Sequence, residues 1–253
     1  MLSLFINPHR RRNYEAVPIT IRMFNSEEYM RVVDKKDARG SLKWIRSAVN
    51  ENVEYFNQEV RASCHFNDTM NIEWVSPLAS DDFAEYRDEA FLERLGVNLQ
   101  KKKLTDFWPN LGPQWDALGR VAGGGVLLLE AKANIPENIS PGTGASKNSK
   151  DLIEKSLEET KTYLRVEPSI SWSGKFYQYA NRLSHLYLLR ELNGIPAYLV
   201  FVYFIGDKDV KGPDTIGEWK EAISVAKGVL GLGQENPLSK YIAEVFINVR
   251  ELK

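Results

Sequence analysis

Two acids and a lysine surround one glycine turn in the stretch PQWDALGRVAGGGVLLLEAKAN, residues 113–134. Side chains on a strand alternate between its faces, so Leu128, Glu130 and Lys132 share one face and Leu127, Leu129 and Ala131 the other. Gly123–Gly125 mark the turn, because glycine accepts positive φ without steric cost. A turn centred on Gly123 sets Asp116 directly opposite Glu130. An even-length loop or a bulge would move that register by one. Opposed residues point to the same side with Cβ atoms about 5 Å apart. Two carboxylates so placed repel unless one is protonated or a cation lies between them. Hard oxygen ligands on rigid strands suit Mg²⁺ or Mn²⁺, with waters and a phosphate oxygen completing the shell. Lys132, one pleat further along, is placed to orient a water or to meet charge developing on a phosphate. The bland alternative is a surface hairpin with a cross-strand ion pair.

The elements that must hold this hairpin follow from period and punctuation. Residues 16–24 read as a strand, and 41–62 as one long helix opened by Ser41 as N-cap. Residues 71–78 read as extended up to Pro77. The stretch 80–96 carries helix signals, with Ser80 and two aspartates at its front and Gly96 at its end. After the hairpin comes a Gly/Ser/Pro/Asn-rich loop, 134–150. Helices are expected over 149–165, 174–192 and about 215–230, a strand over 197–205, and a strand or helix–strand over 241–252. This alternation gives an α/β fold, with a mixed sheet because the hairpin is antiparallel. Two domains are expected: an N-terminal α/β extension, 1–79, packed on a core domain, 80–253.

Composition excludes several classes. The 253 residues carry a net charge of −1, so no global basic field advertises a polyanion, and any such binding needs a local patch. A hydrophobic content of 43% is enough to bury a sizeable core. Cys64 is the sole cysteine, which rules out an internal disulfide and a thiolate zinc cluster and suits a reducing cytoplasm. His9, His65 and His185 are too widely spaced for a zinc site. The longest apolar run, 195–205, is too short for a membrane helix, and the N-terminus does not have the order of a signal peptide. The runs Arg10–Arg12 and Lys101–Lys103 read as solvated, with phosphate contact the alternative for Lys101–Lys103 because that run precedes the hairpin; GVLGLG, 228–233, reads as a helix end rather than a phosphate loop. Phe107, Trp108 and Trp115, with Pro109, flank the acids; core packing around the sheet is the expected role and stacking against a base the alternative.

The residues Asp116, Glu130 and Lys132 on a glycine hairpin resemble the signature of the PD-(D/E)XK nuclease superfamily, with Trp115 in place of the proline. The resemblance implies a restriction-endonuclease-like mixed sheet flanked by helices. It implies Mg²⁺- or Mn²⁺-dependent hydrolysis of nucleic acid, most naturally by a DNA endonuclease. It also implies metal ligation by Asp116, Glu130 and the Ala131 carbonyl, with Lys132 positioning or helping to deprotonate the water. A further acid on the preceding helix is expected, Glu85 ranking before Asp88, because both fall on or near the arc of Ala84, Phe91, Leu92 and Leu95. The spacing of Glu85 to Leu92 and Gly96 resembles the first helix of Holliday-junction-resolving members; the plain alternative is a pair of helix-start acids. On the helix 174–192, Phe176, Tyr179, Leu183, Leu186 and Tyr187 form a core stripe. Gln178, Asn181 and His185 lie opposite, beside Arg182; the plain reading is a solvated face. Gln178 matches the glutamine of RecB-like members, whose tyrosine four residues later is replaced here by Arg182. Gln178 would assist the attacking water, and Arg182, Asn181 and Lys161 would hold the nucleic-acid backbone. The segments outside the core would set target choice or build a homodimer. The competing functions are a non-catalytic member of the fold that binds nucleic acid or protein, and an interaction protein whose hairpin is only structural.

Overall fold

The computed structural model describes residues 30–33, 38–233 and 235–252; the expected strand at 16–24, His9 and the Arg10–Arg12 run lie outside them. In chain order the elements begin with β1 (Arg31–Val32), α1 (Gly40–Asn50), α2 (Val53–Ser63) and β2 (Ile72–Ser76). Then come β3 (Glu85–Tyr86), α3 (Glu89–Leu95), β4 (Ala117–Val121), β5 (Gly125–Lys132), α4 (Ile135–Asn138) and α5 (Lys147–Leu164). The chain continues through α6 (Tyr177–Tyr187), which runs on as a π-helical turn over Leu188–Leu192, then β6 (Ala197–Ile205), α7 (Ile216–Val229) and β7 (Ile242–Asn248). Five strands form one mixed sheet in the order β2-β4-β5-β6-β7. β2, β4 and β5 are antiparallel, and β6 and β7 run parallel to β5. The fold is therefore mixed α/β with helices on both faces. No helix among the described residues is long and apolar enough to cross a membrane.

The hairpin has the register of a turn centred on Gly123: Ala117 pairs with Leu129 and Val121 with Gly125. Gly123 and Gly124 both take positive φ there, which only glycine adopts freely. Every residue of β5 is buried, as expected of a strand covered on both faces. Leu128 joins Leu118, Leu199 and Phe201 in a core beneath α3, α5, α6 and α7. Leu127, Leu129 and Ala131 face the second core, which α1 and α2 close with Ile45, Val49, Phe56 and Val60. The segment read as an N-terminal extension thus supplies the sheet edge β2 and both helices of the second face.

Two expected helices form differently. The stretch 41–62 divides into α1 and α2 at Glu51–Asn52, where Asn52 turns its amide onto the Ser47 carbonyl and hydroxyl. Ser41 lies inside α1, and Arg39 takes the N-cap position without a side-chain cap. The stretch 80–96 is helical only over α3; before it come a single 3-10 turn, Ala79–Asp81, and the short strand β3. Tertiary contacts outbid the helix signal here. Asp81 is drawn onto Arg31 at 2.7 Å and Arg94 at 3.2 Å, and it accepts the Tyr86 hydroxyl. Backbone bonds to β1 then make Glu85–Tyr86 extended. The stop signal did hold: Gly96 caps α3 in the left-handed conformation. At α7, Thr215 with Glu218 forms a capping box that was not read from the sequence.

Candidate active site

The hairpin's open end, beside the N-terminus of α6 and the loop 139–146, lines a cleft of about 590 Å³. Asp116, Glu130, Ala131, Lys132, Gln178, Asn181 and Arg182 all line it, so the three motif residues converge rather than splay. Asp116 sits just before β4 and accepts the Ala131 N–H at 2.6 Å. A strand residue points its N–H and C=O to the same side, so the Ala131 carbonyl also faces the cleft.

Glu130 is 3% exposed and satisfied on both oxygens. One accepts the Lys132 ammonium; the other accepts Arg182 Nε at 2.6 Å. The Lys132 ammonium also donates to Gln178 Oε1 at 3.1 Å. Arg182 completes its fork on the Gln114 carbonyl at 2.7 Å and on Asn181 Oδ1 at 3.0 Å, with its guanidinium 4.7 Å from the Trp115 ring centre. Glu85 lies behind this layer, 6% exposed. The Tyr86–Trp115 backbone bridge brings it to Gln114, whose amide donates to one oxygen; the other is buried without a partner.

Three carboxylates thus share Lys132 and Arg182, with Arg46 also acting on Glu85, and their protonation follows. Burial pushes the Asp116 carboxyl well above its usual range, and the charges of Glu130 and Glu85 push it further. Burial, with a smaller contribution from Glu130, raises Glu85 to about 7. Burial would raise Glu130 as well, but Arg182 and Lys132 outweigh it and hold that carboxyl below the usual range. Lys132, despite its burial, is held charged by Glu130 and Asp116.

Hard oxygen donors that repel one another fit a divalent cation. Asp116, Glu130 and the Ala131 carbonyl would hold it, with Glu85 behind them. No group of three or more His, Cys, Asp or Glu side chains suited to a metal occurs among the described residues, so the set rests on two cleft carboxylates and a backbone oxygen.

Several expected site residues serve elsewhere. Asp88 is the N-cap residue of α3, yet its two oxygens accept the Leu111 and Gly112 N–H groups at 3.0 and 2.9 Å, fixing a rim loop instead of joining the acids. Glu85 is on a strand, not a helix, and reaches the acids from beneath. Arg182 is committed to Glu130 rather than turned to solvent, and Asn181 supports it while still lining the cleft. Lys161 is 1% exposed, with its ammonium on Glu158 at 2.7 Å and the Pro168 carbonyl at 2.9 Å, so it is not available to a polyanion. Lys161→Met is therefore expected to cost about 1–2 kcal/mol of stability in urea unfolding, by orphaning a carbonyl. His185 is buried among Trp108, Phe91 and Trp115, and burial depresses it to about 3, so it stays neutral. The whole run Tyr179–Tyr187 is buried, so α6 has no solvated face there.

Gln114 and Leu111 were not singled out from sequence. Alternation from Asp116 would have placed Gln114 on the acid side had the extended backbone been carried back past Trp115. Nothing local marks Leu111, whose place depends on Asp88 in a distant segment. Comparison with protein-family models, with curated proteins and with solved structures finds no match.

Proposed function

We propose that this chain is a metal-dependent phosphodiesterase acting on nucleic acid, a DNA endonuclease of the restriction-endonuclease-like, PD-(D/E)XK type. The carrying observation is that Asp116, Glu130 and Lys132 meet in one cleft from two paired strands, with Ala131 lining it beside them. An antiparallel hairpin followed by a parallel strand supports the fold reading. Mg²⁺ or Mn²⁺, when bound, would polarise the phosphate and lower the pKa of a water. The chain's own groups do the rest. Lys132, held charged and tethered to Gln178, is positioned to donate to a phosphate oxygen or to hold the attacking water. Arg182 keeps Glu130 ionised and aligned. The charged lining is Asp116, Glu130 and Glu137 against Lys132 and Arg182. An anionic backbone therefore enters favourably only once the acids are offset, which couples substrate binding to the cation.

The second reading, a non-catalytic nucleic-acid- or protein-binding module, draws on one observation: Lys132 and Arg182 already satisfy Glu130 without an ion. Cleavage of supercoiled, linear duplex and single-stranded DNA with Mg²⁺ or Mn²⁺, beside calorimetry with Mn²⁺, separates the two. Asp116→Ala and Lys132→Ala are each expected to lower the rate by about 10²-fold or more. No cleavage and no Mn²⁺ binding by the wild type would favour the module. Cleavage that survives both substitutions would discard this site.

A further inference from the structure

We propose that Leu111 is an apolar wedge that enters a base step of duplex DNA while the neighbouring phosphate lies at Asp116 and Glu130; this rests on the nuclease reading of that site. Leu111 lines the acid cleft and also the adjoining groove of about 480 Å³ walled by Trp108 and Tyr177. The residue is 65% exposed. A lone exposed leucine is ordinary; one fixed in this way is not. Its φ is +65°, a left-handed conformation that disfavours any residue with a Cβ. Glycine would sit there without strain, and a glycine does follow it.

The loop is rigid for stated reasons. Asp88, buried and itself at φ +53°, clamps the N–H groups of Leu111 and Gly112 with both carboxylate oxygens. A Cβ at Gly112 would lie 3.1 Å from Asp88 Oδ1 and 3.2 Å from the Trp108 ring, so any larger residue there has to push the clamp by a few tenths of an ångström. On either side the loop is anchored by buried residues, Trp108 against His185 and Pro113 at the cleft floor. A strained, braced, solvent-facing leucine between a phosphate-type site and an aromatic-sided groove matches what inserting side chains do: unstack a step, kink the duplex and displace a base. The groove beside Trp108 and Tyr177 would receive the displaced base. The substrate class is then paired DNA, cut where a step opens most easily.

The test uses the full chain with Ca²⁺ replacing Mg²⁺ in the binding arm and Mg²⁺ in the cleavage arm. Probes are a short duplex carrying 2-aminopurine at several steps and the same duplex opened by mismatches. Wild type is expected to raise 2-aminopurine fluorescence on binding. Leu111→Ala should lose that rise and cut the paired duplex about tenfold more slowly, while cutting the mismatched duplex within about twofold of wild type. Leu111→Met should restore both readouts. Leu111→Gly, which relieves the left-handed strain, should melt no lower than wild type yet behave as Leu111→Ala does. Cutting and fluorescence unchanged in Leu111→Ala would overturn the wedge and leave the nuclease standing, as would wild-type cutting of single strands alone. A wild type that neither binds nor cuts any probe would overturn both.

Discussion

Arg182→Ala is expected to lower the unfolding free energy by about 3–5 kcal/mol, because it strips a buried carboxylate of its chief partner. The two side chains are 4% and 3% exposed, so water cannot take over the lost contact. Lys132 alone would then face Glu130, while the Gln114 carbonyl and the face of the Trp115 ring lose their partner as well. Adding Glu130→Gln should recover part of the loss, since a neutral amide carries no uncompensated charge. The coupling in that double-mutant cycle measures the pair. Arg182→Lys should recover little, because an ammonium cannot span Glu130, Asn181 and Gln114 with one planar fork. Urea unfolding of the five chains, wild type, Arg182→Ala, Glu130→Gln, the double variant and Arg182→Lys, reads all of this. A loss below about 1 kcal/mol for Arg182→Ala would mean that the pair is merely solvated.

Glu85→Gln is the second, and its effect grows with pH. Glu85 titrates near its ordinary 4.5 in the unfolded chain and at about 7 in the folded one. A raised acid stabilises the fold below its unfolded pKa and loses that contribution as pH rises through the folded value. The wild type therefore weakens between about pH 4.5 and pH 7, whereas the glutamine variant does not share that loss. The expected difference is near zero at pH 4 and roughly 3 kcal/mol in favour of Glu85→Gln at pH 8. Glutamine can still accept from Gln114, so the comparison isolates the charge. Asp116, also raised and present in both chains, weakens both as pH rises, so the difference between the curves reports Glu85. Mn²⁺ at pH 8 should narrow the gap by offsetting the carboxylates. Unfolding curves that stay parallel from pH 4 to pH 8 would show that Glu85 is not a strained charge.

The contrast between the motif residues and their supports is one of range. The hairpin depends on neighbours: a glycine turn, an apolar run and a period of two, all within residues 113–134. That is why its register, the facing of Asp116, Glu130 and Lys132, the long buried strand β6 and the glycine stop of α3 were legible in the amino-acid order itself. The two-faced pattern of α6 was legible too, though only its core stripe had the expected role.

What surrounds the motif was decided by contacts between distant segments, which no local pattern encodes. Arg31 and Asp81, 50 residues apart, help turn an expected helix into a strand. Arg182 and Glu130, 52 apart, convert an expected backbone-binding cation into the partner of a buried acid. Asp88 leaves the acids because loop amides 23 and 24 residues away satisfy both its oxygens. Lys161 is removed from the surface by the Pro168 carbonyl and Glu158. Each choice follows from one rule: a buried polar group goes to the partner that satisfies it best. Sequence by itself determined the α/β class, the strand–helix order from the hairpin onward and the three residues of the candidate site. Tertiary structure alone decided which charges meet, because burial and pairing exist only once the chain has closed on itself.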